Sequence, residues 1–195
     1  METEYNRESS NQNLIRRKKM KNLNVTKFVY ALLIAVFAFS AFAAPSAQAA
    51  PKGNTIVDVA LAENAKNGEF SILIAALKAA DPAVIQTLSG KGQFTVFAPT
   101  DAAFVALLGE LDLTAGELLS DKALVTQVLL YHVARGNRDS AEVLASSRIR
   151  TLNGGFLYQN GGVLTDANGR TSNIIAVDIK ASNGVIHVID RVVLP

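Results

Sequence analysis

The chain has 195 residues, no cysteine, 19 Lys and Arg against 17 Asp and Glu, and a hydrophobic share of 49%. The absent cysteines exclude disulfides, thiolate metal sites and a Cys nucleophile. The first 49 residues hold seven of the basic and three of the acidic side chains, so residues 50–195 carry 12 and 14, a net of −2. The total offers no basic patch to steer a polyanion, and nucleic acid is not an expected partner.

The N-terminus reads as an export signal. Arg16, Arg17, Lys18, Lys19 and Lys21 form a basic cluster, residues 28–44 run without charge, and Ala47-Gln48-Ala49 supplies the small residues that signal peptidase needs. Cleavage is expected between Ala49 and Ala50. The competing reading is a retained anchor, since the apolar run is at the lower edge of a bilayer-spanning length. A start at Met20 gives a signal of ordinary length and leaves the polar residues 1–19 outside it. The product is expected in the periplasm, at the cell surface or outside the cell, free of the membrane once cleaved. The chain stops at Leu194-Pro195, so any surface attachment is expected to be noncovalent.

Residues 50–54 form a short lead-in to one domain over 55–195. Apolar spacing predicts helices over 55–65, 70–80 and 82–88, with Phe70, Leu73, Ile74 and Leu77 on one face and Pro82 starting a new turn after Asp81. Thr95–Ala98 reads as a short buried strand. Thr100 fits a helix N-cap, with Asp101 in the first turn of a helix over 102–108. Thr114 caps another short helix, and 121–130 a further one, which Tyr131-His132-Val133 leaves in extended form before Gly136 turns the chain. From Arg148 the pattern becomes β, with strands over 148–152, 156–158, 163–165, 174–179 and 185–189, and a last one over 192–194. Asn168-Gly169 reads as a type I′ hairpin and Asn183-Gly184 as a tight turn. Helices first and antiparallel strands later predict an α+β domain.

Thr95–Phe104 (TVFAPTDAAF), Leu130-Tyr131-His132-Val133 and Asn183–Pro195 (NGVIHVIDRVVLP) resemble, in order and spacing, the first box, the central Tyr-His motif and the second box of fasciclin-like (FAS1) domains. The resemblance covers essentially residues 54–195. It implies a FAS1-type β-wedge of two sheets with several helices packed on one side. It also implies a secreted or surface adhesion and interaction module, commonly without enzymatic activity. In some animal members the Tyr-His region, or an Asp-Ile tripeptide nearby, is linked to integrin binding. Here the matching pair is Tyr131-His132, with no clear Asp-Ile counterpart beside it. A bacterial-type signal makes an integrin an unsuitable partner, so the adhesive role carries over better than the receptor does.

Each motif residue also has an unspecialised reading. Tyr131 and His132 are either a partner contact or a buried pair tying a helix exit to the sheets, and burial is the expectation. Among the family-motif residues, Thr95, Phe97, Pro99, Thr100, Phe104 and His187 are expected to be structural. Asp101 reads as helix-terminal charge, Asn183-Gly184 as turn geometry and Asp190 as strand-end charge. Two histidines in separate segments make no metal site by spacing. Asp166-Ala167-Asn168-Gly169 resembles the start of a calcium loop but lacks the later acidic ligand. No catalytic motif is found, and no cofactor is expected. The expected partner is a protein or polysaccharide of the envelope or matrix. The alternative is a small ligand or lipid held in an apolar crevice between the helical layer and the wedge.

Overall fold

The computed structural model describes residues 53–195. The export signal, its cleavage residues Ala49 and Ala50, and the first part of the lead-in lie outside the described residues.

The helical half begins where a Thr can cap. Helix α1 (Ile56–Asn67) opens on a capping box: the Thr55 hydroxyl accepts from the Asp58 N–H, and the Asp58 carboxylate accepts from the Thr55 N–H at 2.8 Å. Gly68, at φ 74°, ends it in the left-handed conformation that a side chain disfavours. Helix α2 (Ser71–Ala79) follows, then α3 (Pro82–Leu88), capped by Asp81 with Pro82 in its first turn. Strand β1 (Phe94–Pro99) leads into α4 (Asp101–Leu111), capped by Thr100. Helices α5 (Ala115–Ser120) and α6 (Lys122–Tyr131) complete the layer, capped by Thr114 and Asp121.

Strand β2 (Val133–Arg135) precedes a short helix, α7 (Ser140–Ala145), that the sequence reading does not anticipate. Its start nevertheless carries a local signal, a capping box in which the Asp139 side chain accepts the Glu142 N–H and the Glu142 carboxylate accepts the Asp139 N–H. Strands β3 (Arg148–Arg150), β4 (Phe156–Asn160), β5 (Val163–Thr165), β6 (Thr171–Ala181) and β7 (Gly184–Ile189) follow.

The strands join in the order β2-β1-β7-β6-β5-β4-β3. The two sheets of the wedge share β6: its first residues pair with β5 and its later ones with β7, with register shifts near Ala176 that bend it from one wing to the other. A bridge between Ala134 and Thr151 brings the two ends of the order together. Strands β1 and β7 pair in parallel at the centre, and every residue of both is buried. Such a pair needs cover on both faces. The helices cover one face, through Leu73, Phe104, Leu107, Val125 and Leu129. The other face closes on the wedge interior, filled by Phe97, Tyr131, Ile149, Leu157, Leu164 and Ile189.

Three local expectations are corrected. Tyr131 is the last residue of α6 and His132 its C-cap, at φ −83° and ψ −1°, so the extended chain starts only at Val133. Residues 192–194 form no strand. Val192 and Val193 are buried, and the N–H groups of Val193 and Leu194 are taken by the His132 ring and the Asp166 carboxylate instead of a neighbouring strand. At Asn168-Gly169 only the glycine has positive φ, 78°. The Gly169 N–H donates to the Asp166 carbonyl, and the Asp166 side chain accepts from the Asn168 and Arg170 N–H groups. This is a three-residue loop built on a type I turn, which the Asp166 side chain selects over type I′.

Candidate functional site

The first and second boxes, 90 residues apart in the chain, lie side by side. In the β1–β7 ladder Thr95 faces Val185, Phe97 faces His187 and Pro99 faces Ile189. The Phe97 and His187 rings stack with centroids 5.8 Å apart. The side chains of both are fully buried.

The buried polar groups of the boxes are spent on the chain's own backbone. The Thr95 hydroxyl donates to the Gly136 carbonyl at 2.8 Å and accepts the Arg138 N–H at 2.9 Å. The His187 Nε2 meets the Arg138 carbonyl at 2.9 Å. Together they fix the backbone of residues 136–138. Asp101 does more than bias its own helix: its carboxylate accepts from the N–H groups of Ser71 and Ile72, at 3.1 and 2.8 Å. It therefore caps α2, whose own N-cap residue Phe70 has no side chain to offer.

Asn183 is likewise more than a turn residue. Its Oδ1 accepts the Ile56 N–H at 2.8 Å, and its Nδ2 donates to the carbonyls of Leu88 and Gly90 at 2.6 and 2.9 Å. One amide thus joins the start of α1, the end of α3 and the start of β7. Gly184 beside it admits no side chain, because a Cβ would lie 2.0 Å from the Phe94 carbonyl oxygen. Asp190 accepts from Asn173 and Ser172. Burial alone would raise its carboxyl, but these hydrogen bonds outweigh burial and hold it below the usual carboxylate range.

Tyr131 and His132 are both inside the fold, at 0% and 3% exposure. The Tyr131 hydroxyl donates to the Phe156 carbonyl at 2.7 Å and accepts the Ala167 N–H at 3.1 Å. Burial raises the phenol above its ordinary value. The His132 Nδ1 lies 2.7 Å from the Val128 carbonyl, and its Nε2 accepts the Val193 N–H at 3.2 Å. These two partners define a neutral ring protonated at Nδ1. Burial lowers its pKa to about 4, outweighing the Val128 carbonyl and the Asp166 carboxylate, which both favour the charged form.

Among the described residues, a pair of concavities is large enough to consider for a ligand. The first is an apolar cavity of about 250 Å³ within the helical layer, between α2, α4, α5 and α6, floored by Pro99, His132 and Leu194. Leu111 and Leu124, at 43% and 40% exposure, mark its rim. The crevice expected between the helices and the wedge is thus placed mainly among the helices themselves. Phe104 of the first box lines it.

The second concavity corrects the expectation that the domain has no basic patch. A cleft of about 300 Å³, its lining about equally polar and apolar, is bounded by Arg135, Arg138 and Arg150, with Thr151, Leu152 and Gly154. A net charge sums over the whole surface and hides where the charges gather. The three arginines come from β2, the loop after it and β3, so no local pattern in the sequence gathers them.

The Asp166 carboxylate accepts from the N–H groups of Asn168, Arg170 and Leu194, so its oxygens are engaged by the chain itself. Among the described residues there is no group of three or more His, Asp or Glu able to hold a metal ion.

The profile described as Fasciclin domain matches residues 68–195. The chain is 42% identical over 146 residues to Protein sll1483 of Synechocystis, covering 72% of this chain and 73% of that protein. It is 35% identical over 147 residues to the transforming growth factor-beta-induced protein ig-h3 of Sus scrofa, covering 74% of this chain and 20% of that one. In fold it is similar to a FAS1 domain pair from the insect cell adhesion molecule Fasciclin I, with a TM-score of 0.54 at 21% identity over 66% of this chain and 46% of that one. The chain therefore spans about a fifth of the length of ig-h3 and less than half of the Fasciclin I pair. With both boxes paired at the centre of a FAS1 wedge and two thirds of its length under the family profile, this chain belongs to the fasciclin domain family.

Proposed function

We propose that the exported domain is a non-enzymatic interaction module, acting at the cell surface, in the periplasm or outside the cell, that binds a protein or polysaccharide of the envelope or matrix. One observation carries this reading. The polar side chains of the family motifs, Thr95, Asp101, Tyr131, His132, Asn183, His187 and Asp190, all bond within the chain. The motifs therefore build a scaffold, and recognition falls to the surface that the scaffold presents. A fold neighbour supports the same reading: the Fasciclin I domain pair comes from a cell adhesion molecule.

The test is retention of envelope and extracellular-matrix fractions of the source cells on the immobilised, exported protein. Saturable binding, competed by free protein, is expected. Absence of saturable binding to any fraction would refute the module.

The apolar cavity favours a second reading, a carrier of a small apolar ligand or lipid. Its size of about 250 Å³ falls just below the usual range for small-molecule pockets. Native mass spectrometry of the protein purified from its source separates the two: a retained small molecule would favour the carrier.

A further inference from the structure

We propose that the Arg135–Arg138–Arg150 cleft binds the acidic groups of a negatively charged polysaccharide. The inference rests on the interaction-module reading and names its partner class. Among the described residues, none of these three arginines lies within ion-pair distance of a carboxylate. No Asp or Glu lines the cleft. Three arginines around one concavity carry like charges that repel one another, and an anion there relieves the repulsion; the Arg138 guanidinium meets only a neutral partner, the Ser146 hydroxyl at 3.4 Å. The planar guanidinium fork matches carboxylate and sulfate oxygens in pairs.

The cleft is also built. Arg138 has its N–H held by Thr95 and its carbonyl held by His187, so two box residues in the core fix the loop that carries it. Arg150 stands on β3, which the Ala134–Thr151 bridge ties to the β2 strand carrying Arg135. The guanidinium groups therefore start from an ordered backbone, which lowers the entropic cost of gathering them on a ligand.

Beyond the cleft, the outward face of β3 and β4 continues the pattern. Arg148 sits opposite Tyr158, and Arg150 opposite Phe156. The Arg148 guanidinium lies over the Phe156 ring at 5.0 Å, and Tyr158 is 50% exposed. Charged forks interleaved with aromatic rings suit a ligand that repeats acidic groups on apolar ring faces, as an acidic polysaccharide does. A free small anion would leave the aromatic strip without a role. A planar anionic membrane would meet the exposed Asp139 and Glu142 of the neighbouring helix cap.

The test is binding of the full exported protein to polygalacturonate and dextran sulfate, with neutral dextran, a single-stranded oligonucleotide and phosphatidylglycerol vesicles as comparisons. Binding is expected to the two acidic polymers but not to neutral dextran, and it should weaken as salt rises. The double variant Arg135→Gln/Arg150→Gln should lose roughly tenfold or more in affinity. Lys78→Gln, an exposed lysine on α2, removes a charge away from the cleft and should change little. Both variants should melt with the wild type. An equal loss in Lys78→Gln, an unchanged double variant, or tighter binding to the oligonucleotide or the vesicles would overturn the proposal. If the double variant still captures the source envelope fraction as the wild type does, while neither binds acidic polymer, the cleft fails and the module stands. If neither acidic polymer nor envelope fraction is bound, both fail.

Discussion

The buried imidazole of His132 predicts a pH dependence of stability that separates a scaffold role for the Tyr-His motif from a contact role. The ring titrates at about 4 in the folded chain, against an ordinary value of 6.5. Between these values the unfolded chain binds a proton that the folded chain refuses. Stability is therefore complete above the unfolded value, falls as pH drops through the window, and levels off below the folded value. From pH 7 to pH 5 the loss from this one group comes to about 2 kcal/mol, a factor of roughly 30 in the unfolding constant. The depressed carboxyls Asp58, Glu117, Asp178 and Asp190 shed their contributions only as pH falls through the carboxylate range, and comparison with a variant at position 132 separates this ring from every other titrating group. The measurement is urea unfolding followed by circular dichroism at steps between the two pH values. The comparison variant is His132→Asn, whose amide retains a donor for the Val128 carbonyl but does not titrate. It should be less stable than the wild type at pH 7, with the curves converging toward pH 5. Parallel curves would refute the argument, because the proton would then be binding to groups other than His132.

Three further substitutions test the scaffold. Asn183→Ala leaves the Ile56 N–H and the Leu88 and Gly90 carbonyls without their partner, and should cost about 3–5 kcal/mol in denaturant unfolding. Gly184→Ala places a methyl group 2.0 Å from the Phe94 carbonyl oxygen and 2.8 Å from the Ile56 side chain. It should cost at least about 3 kcal/mol, and a soluble variant melting with the wild type would contradict the packing. Asp101→Ala uncaps α2 from outside and should cost about 1–2 kcal/mol, with Asp101→Asn recovering part of it; thermal melts of the three proteins decide.

The motif residues were legible as a set, because a Thr-Asp pair after a strand, a Tyr-His pair and an Asn-Gly turn before an alternating run are local patterns. Their physical roles were less so. Thr100 and Thr114 read correctly as caps, since each bonds three residues along the same chain segment. Asp101 read as a charge on its own helix, yet its carboxylate reaches 29 and 30 residues back to another. Helix α7 carries a local start signal in its Asp139–Glu142 capping box, but the rest of its N-terminus is held from elsewhere: the Asp178 carboxylate accepts the N–H and hydroxyl of Ser140, at 2.8 and 2.6 Å.

The sequence by itself determined the net charge of residues 50–195, the absence of disulfides, the helix starts at Thr55, Thr100 and Thr114, and the family boxes. These depend on composition or on neighbours within a few residues, where backbone geometry alone sets which groups meet. Only the tertiary structure decided that the two boxes pair in parallel, that Asn183 spans 93 to 127 residues of chain with a single amide, and that Arg135, Arg138 and Arg150 converge on one cleft. Such meetings arise from the packing of whole elements around a shared core. No local pattern of charge or hydropathy encodes which distant segment closes on which.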